Sequence, residues 1–174
     1  MASKDQPKPP PPPTLSCLAA ASLIETIDGP VEIVKLAGKS IPVLTRFADG
    51  RLGFRMMSQV REIASETPLL RLVSSDRQEV LVGASHVFLA PGGKEVAAGD
   101  LSEGALLEGS WTYPEGYEIP DAEEYSAEVK GRPWQPAIRL ARIEPAGAGP
   151  SFGASVRETR TYFLTFGAHC RAQR

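Results

Sequence analysis

The chain has 174 residues, 42% of them hydrophobic, which is enough for one hydrophobic core and hardly for two. Its 19 Lys and Arg residues against 21 Asp and Glu give a formal net charge of -2, so no positive field favours nucleic acid as a partner. The apolar stretches are far shorter than the roughly 20 residues that cross a bilayer, and no apolar signal segment precedes the prolines, so we expect a soluble, cytoplasmic protein without a membrane partner.

The N-terminal segment, residues 1–16, is dominated by the proline run from Pro7 to Pro13. Such a run adopts extended polyproline II, which has no internal hydrogen bonds and buries nothing. We therefore predict a disordered polyproline leader over residues 1–16, followed by a single domain over residues 17–174.

The first two thirds of that domain alternates short apolar runs with turn residues. Strand-like runs at Ile41–Phe47, Gly53–Arg61, Leu69–Val73 and Glu79–Val82 are separated by Asp-Gly or Ser-rich turns, which is typical of hairpins. Leu18–Ile24 and Val31–Val34 indicate a strand on either side of the turn at Asp28-Gly29-Pro30, and a further turn follows at Pro91-Gly92-Gly93. Strands at short, regular spacing predict an all-β fold.

The amino-acid composition changes at about residues 108–136, where aromatic and turn residues precede an acidic stretch. We predict a small insertion there, with one short helix over residues 121–130. Strand-like composition returns at Ala137–Ile143 and Val156–Phe166, and the segment from Pro145 to Pro150 between them predicts a loop.

Cys17 is the first candidate for chemistry, because it follows the leader directly and opens the first apolar segment. Its thiol can attack the carbonyl of Ser16 and convert the Ser16–Cys17 amide into a thioester, provided that a neighbouring group protonates the departing nitrogen. A histidine is the natural proton donor, and the chain has two, His86 and His169. His86 lies just after the strand Glu79–Val82, where it can project toward a central cleft.

Five segments, in three regions of the sequence, resemble blocks of the Hint (hedgehog/intein) domain family. The run from Cys17 to Ile33, CLAAASLIETIDGPVEI, is similar to the first block, and the runs Val80–Phe88 and Glu95–Leu107 resemble the block that carries a histidine. Thr161–Leu164 and Phe166–His169 are weakly similar to the closing strands. The resemblance implies an all-β horseshoe in which both chain ends meet at one site. It further implies that Cys17 is the nucleophile, that Ser16 provides the scissile carbonyl, and that His86 polarises and protonates that peptide.

The sequence also departs from the family pattern. Gly83 stands where the family has a threonine that helps to orient the scissile amide, although Ser85 or Ser22 can substitute for its hydroxyl. The chain contains no asparagine, so splicing by cyclisation of a terminal asparagine is excluded. Gln173 can in principle cyclise but does not follow His169. The pair His169-Cys170 stands about where His-Asn would, and Cys170 provides a second thiol that can accept the acyl group or pair with Cys17.

Two functions remain open. The first is autocatalytic cleavage at Ser16–Cys17, in which water or an outside nucleophile resolves the thioester and releases the N-terminal segment or a fused upstream protein. The second is a non-catalytic Hint-like module, for binding or structure, tethered by polyproline. Gly83 and the missing asparagine favour the second, whereas Ser16-Cys17 and His86 favour the first. Cys17 and His86 equally suit packing roles, and we predict no cofactor and no metal.

Overall fold

The computed structural model of the protein describes residues 16–109 and 137–173. The polyproline leader up to residue 15 and most of the predicted insertion, including the helix over residues 121–130, therefore lie outside the described residues. The division into a leader, one domain and an insertion remains a prediction.

Within the described ranges the protein is built from strands, and the predicted all-β fold is confirmed. Two short 3-10 helices, Ile33–Leu36 and Ala98–Asp100, interrupt them, and no helix in this part of the chain is long and apolar enough to cross a membrane. The strands are β1 (Leu18–Ala19), β2 (Leu23–Thr26), β3 (Gly29–Glu32), β4 (Ile41–Arg46), β5 (Leu52–Ser74), β6 (Glu79–Gly83), β7 (Val87–Ala90), β8 (Lys94–Ala97), β9 (Leu106–Glu108), β10 (Ala137–Val156), β11 (Thr161–Phe163) and β12 (His169–Arg171).

These strands form two antiparallel sheets. The larger sheet has the order β3-β2-β4-β5-β6-β1-β10-β9, with β5 also paired to β10, and the smaller sheet has the order β11-β12-β7-β8. A shared hydrophobic core contains side chains from both sheets, among them Leu18, Met57, Leu72, Phe88, Leu140 and Leu164. Leu18 of β1 and Cys170 of the C-terminal strand β12 both belong to this core.

The predicted hairpins are present, and their turns show why the sequence indicated them. Gly50 between β4 and β5 has a φ of 89°, and Gly92 between β7 and β8 has the same value. Only glycine adopts this region without strain, so these positions fix the turns. The predicted strand at Val31–Val34 is displaced by two residues toward the N-terminus, because β3 extends over Gly29–Glu32 and Ile33–Leu36 forms a 3-10 helix.

The predicted loop from Pro145 to Pro150 is wrong, because these residues continue β10 and pair with β5. Likewise, the two predicted strands at Gly53–Arg61 and Leu69–Val73 are parts of the single strand β5. Register shifts interrupt the β5–β10 pairing between Pro145 and Ala148 and at several later points. Such bulges let a strand accommodate proline and glycine without ending, which explains why a turn-like composition occurs inside a strand.

Candidate functional site

The Ser16–Cys17 junction lies inside the larger sheet, because β1 begins with the next residue. Leu18 pairs with Val82 of β6 on one side and with Phe152 of β10 on the other. Cys17 continues this pairing, since its carbonyl accepts a 3.0 Å hydrogen bond from the N–H of Gly83. Both junction residues are consequently buried, and the exposed fraction is 5% for Ser16 and 3% for Cys17.

His86 is brought back to this junction by a tight turn after β6. The N–H of His86 donates a 2.9 Å hydrogen bond to the carbonyl of Gly83, and the His86 carbonyl accepts one from Ala98. The imidazole is completely buried, and its Nδ1 lies 3.0 Å from the hydroxyl oxygen of Ser16. The structure therefore places the predicted histidine in direct contact with the residue that precedes Cys17.

The hydrogen bonds around the Ser16 hydroxyl define the tautomer of His86. Ser16 Oγ donates to the carbonyl of Arg171 over 2.6 Å, which uses its one proton. His86 Nδ1 must then be the donor to Ser16 Oγ, which also accepts from the N–H of Val87 at 3.3 Å. His86 Nε2 is left with the lone pair, and it is buried without a hydrogen-bond partner among the described residues.

The imidazole of His86 is neutral at physiological pH. Burial lowers its pKa from 6.5 to about 3, and the nearby backbone of Cys17 opposes this shift only in part. The same backbone contact shows that the imidazole lies against Cys17 as well as Ser16. A neutral imidazole at this position can accept a proton, or donate one through Nδ1.

The surroundings of the Cys17 thiol explain the glycine at position 83. A Cβ atom on Gly83 would overlap Cys17 Sγ, so the threonine of the Hint pattern does not fit beside the thiol as it is placed here. Of the two serines that could substitute for the missing hydroxyl, Ser85 has its Oγ 3.5 Å from Cys17 Sγ. Ser22 instead donates its hydroxyl to the carbonyl of Leu81.

Gln173 makes a contact with the junction that the sequence analysis missed. Its side-chain Nε2 donates a hydrogen bond to the carbonyl oxygen of Ser16, and its backbone N–H donates to the carbonyl of Ala154 at 2.8 Å. Gly153 makes room for this side chain, because a Cβ there would lie 2.8 Å from Nε2. From the sequence alone, Gln173 was a candidate only for cyclisation, and no spacing in the sequence indicates this contact.

The structure does not bring His169 to the junction. Its Nδ1 lies 3.3 Å from a carboxylate oxygen of Glu108, and its ring stacks on Phe163 with a centroid distance of 4.4 Å. Burial lowers the pKa of His169 to about 4, although the carboxylate of Glu108 opposes that shift. Among the described residues, His169 makes no hydrogen bond to Ser16 or Cys17, so its surroundings are those of a packed side chain.

Cys170 is likewise buried, with its Sγ 3.7 Å from the carbonyl oxygen of Ala168. Burial raises the pKa of its thiol well above the usual value, so it is protonated at neutral pH. Cys17 and Cys170 are both free thiols. Within the described ranges, no cluster of three or more His, Cys, Asp or Glu residues is arranged to hold a metal ion.

Comparisons with known proteins agree with the fold. No protein-family model matches the sequence, and no curated protein matches it. Among solved structures, a variant of the Ssp DnaB mini-intein is similar with a TM-score of 0.70 and 17% identity, over 92% of this chain and 96% of that one. The DnaB intein from Synechocystis sp. PCC 6803 gives a TM-score of 0.67 and 15% identity, over 91% and 99% of the two chains.

A bacterial intein-like domain from Clostridium thermocellum is also similar, with a TM-score of 0.61 and 16% identity, over 90% of this chain and 99% of that one. Identities this low show the fold alone. The fold, however, extends over nearly the whole length of each of these chains, and it agrees with the segments in which the sequence resembles Hint blocks. The protein therefore has the all-β Hint fold of inteins and bacterial intein-like domains.

Proposed function

We propose that this protein cleaves itself, by an N-to-S acyl shift that converts the Ser16–Cys17 amide into a thioester. The observation that carries the proposal is the contact of His86 with the junction. His86 Nδ1 lies 3.0 Å from Ser16 Oγ, and the imidazole lies near the backbone of Cys17. A thiol, the amide before it and a histidine are the three groups that the reaction requires.

In the proposed step, Cys17 Sγ attacks the carbonyl carbon of Ser16. The S–C bond forms, the C–N bond of the amide breaks, and the proton of the thiol ends on the nitrogen of Cys17, which becomes a free amine. His86 accepts the thiol proton and passes a proton to that nitrogen. The pKa of about 3 keeps the imidazole neutral at the start of the reaction, so Nε2 is free to take a proton, and the imidazolium that forms is a strong acid toward the nitrogen of Cys17.

Ser85 supports the thiol in the place where the Hint pattern has a threonine. Its Oγ lies 3.5 Å from Cys17 Sγ, so its hydroxyl orients the sulfur in the precursor. Gly83 leaves the space that the sulfur occupies. The exchange of threonine for glycine at position 83 is thus compatible with a reactive Cys17.

The proposed reaction ends in cleavage, because the sequence has no asparagine to cyclise. Water or an outside nucleophile attacks the thioester carbonyl, the bond to Cys17 Sγ breaks, and the thiol of Cys17 is regenerated. The partner that is released is the N-terminal segment of this chain or a protein fused upstream of it.

The proposal is tested by the intact mass of the purified protein before and after incubation with dithiothreitol. We expect loss of the Met1 to Ser16 mass in the wild type and none in Cys17→Ala. Cys170→Ala provides the matched control, because it removes the other buried thiol and should cleave like the wild type. An unchanged mass in a folded wild-type sample would overturn the proposal and favour the non-catalytic module.

A further inference from the structure

We infer that Gln173 is a catalytic residue of this cleavage, whose side-chain amide stabilises negative charge on the carbonyl oxygen of Ser16. The inference rests on the proposed function, and it assigns a group to the one atom of the junction that the proposed mechanism leaves unassisted. Cys17 supplies the nucleophile and His86 moves the proton, but neither is hydrogen-bonded to the oxygen on which charge develops.

The contact is made to the reacting atom itself. Gln173 Nε2 donates a hydrogen bond to Ser16 O, the oxygen of the amide that Cys17 attacks. When sulfur adds to the carbonyl carbon, this oxygen changes from a carbonyl oxygen into an oxyanion. A fixed N–H donor aimed at such an oxygen strengthens its hydrogen bond as the charge grows, and in a buried site this effect is large.

The side chain of Gln173 is held in position by its surroundings. Its backbone is fixed to β10 by the hydrogen bond to Ala154, and it is only 9% exposed. A Cβ on Gly153 would lie 2.8 Å from Nε2 and 2.9 Å from Cγ of Gln173. The glycine, which has no side chain, therefore leaves space for the amide of Gln173. A donor that is already oriented needs no reorganisation during the reaction, which is the property of an oxyanion-stabilising group.

Because Gln173 follows β12, cleavage of the Ser16–Cys17 amide should depend on the position of this C-terminal strand. Arg171 at the end of β12 accepts the hydrogen bond from the Ser16 hydroxyl, and Gln173 two residues later binds the Ser16 carbonyl. The hydroxyl and the carbonyl of Ser16 are therefore both held by one short segment. The amide is polarised only when that segment is docked, so cleavage requires a completely closed fold.

The test compares the rate of dithiothreitol-dependent cleavage in the wild type and in Gln173→Met. Methionine is unbranched and of similar length, so it fills the space without an N–H donor. We expect the rate to fall about 100-fold or more, as for removal of one oxyanion-stabilising donor in other enzymes. Gln59→Met is the matched control, because Gln59 is exposed and contacts Ser155 away from the junction. It should cleave at the wild-type rate.

The outcomes separate this inference from the proposed function. If a folded Gln173→Met variant cleaves at the wild-type rate, the role of Gln173 is overturned, whereas the proposed acyl shift still stands. Folded wild-type protein that does not cleave overturns both.

A second measurement keeps the contact testable if Gln173→Met does not fold. In uniformly labelled Cys17→Ala protein, a long-range HNCO experiment should show a coupling from the Gln173 side-chain amide to the carbonyl carbon of Ser16. Absence of that coupling, with the amide exchanging freely with solvent, would also overturn the inference.

Discussion

Ser16 Oγ lies 3.0 Å from His86 Nδ1, although 70 residues separate the two in the sequence. The same hydroxyl donates to the carbonyl of Arg171, so one small side chain connects the histidine with the C-terminal strand. Ser16 belongs to the segment that would be released, and yet it is buried within the site. The residue before the scissile bond is thus part of the site as well as part of the substrate.

Replacing Ser16 with alanine should destabilise the protein, because it leaves the carbonyl of Arg171 and Nδ1 of His86 buried without their partner. An unsatisfied buried polar group costs about 1–3 kcal/mol, and we expect a loss in this range from urea unfolding of the Cys17→Ala protein, which cannot cleave. Ser155→Ala is the control, since its hydroxyl bonds the exposed Gln59 and its loss should cost less than about 0.5 kcal/mol. Equal stabilities of the two variants would contradict the described network.

His86→Gln should slow thiol-dependent cleavage by about 100-fold to 10,000-fold, because it removes the group that moves the proton. His169→Gln tests whether loss of any buried histidine has this effect. His169 contacts Glu108 and Phe163 instead of the junction, so its variant should cleave at nearly the wild-type rate once it is shown to be folded. A larger loss for His169→Gln than for His86→Gln would reverse the assignment.

Gly83→Thr restores the residue of the Hint pattern, but we expect it to impair this protein. The new Cβ would overlap Cys17 Sγ and lie 3.2 Å from Thr67 Cγ2, so the thiol must move. Overpacking of this kind costs about 1–3 kcal/mol of stability. The cost should be smaller when Cys17 is alanine, and a double-mutant cycle on urea unfolding measures the difference. If the two substitutions are additive, Gly83 has another reason to be glycine.

Much of the fold followed from local signals. The hairpin turns were predictable because residues such as Gly50 adopt backbone angles that other residues avoid. The β5–β10 ribbon was not predictable, because Pro145 pairs with Leu70 from a distant part of the chain and the proline-glycine composition is that of a loop. Partners that are far apart in sequence can stabilise a strand that its own residues do not indicate.

The site residues also separate into those that local sequence indicates and those that only the fold brings together. Cys17 and His86 were identifiable from segments that resemble Hint blocks, because each lies in its own local pattern. The contact of Gln173 with Ser16 joins residues 157 positions apart and depends on the closure of the whole fold. Ser85 was one of two alternatives for the missing hydroxyl, and only the turn after β6 shows that it, and not Ser22, lies beside the thiol.

Ser85→Ala and Ser22→Ala test that distinction in the reaction. Loss of the Ser85 hydroxyl removes the group 3.5 Å from Cys17 Sγ, and we expect thiol-dependent cleavage to slow by about tenfold, equivalent to one hydrogen bond of about 1.4 kcal/mol. Ser22→Ala removes a hydroxyl that donates to Leu81, so it should lower stability but leave the cleavage rate of the folded protein unchanged. Intact mass over time gives both rates, and a slower Ser22→Ala would contradict the role given to Ser85.

The stability of the protein should decrease steeply in mild acid. The lowered pKa values of the two histidines determine this direction of the pH dependence. The pKa of His86 is lowered to about 3 and that of His169 to about 4, so between pH 6.5 and those values the unfolded chain binds protons that the native protein does not. Stability is therefore highest above pH 6.5 and is lost as the pH decreases. Each histidine should remove about 2 kcal/mol between pH 7.5 and pH 5.

Urea unfolding of the Cys17→Ala protein at these two pH values measures this loss without interference from cleavage. His86→Gln and His169→Gln should each abolish about half of the histidine-dependent part of the loss, because glutamine does not titrate. The same steep loss in both variants would mean that the loss does not come from the histidines and that burial does not lower their pKa values in the native protein. A His86 with an ordinary pKa could not be the completely buried imidazole beside Ser16, so that result would contradict the described burial of His86 at the junction.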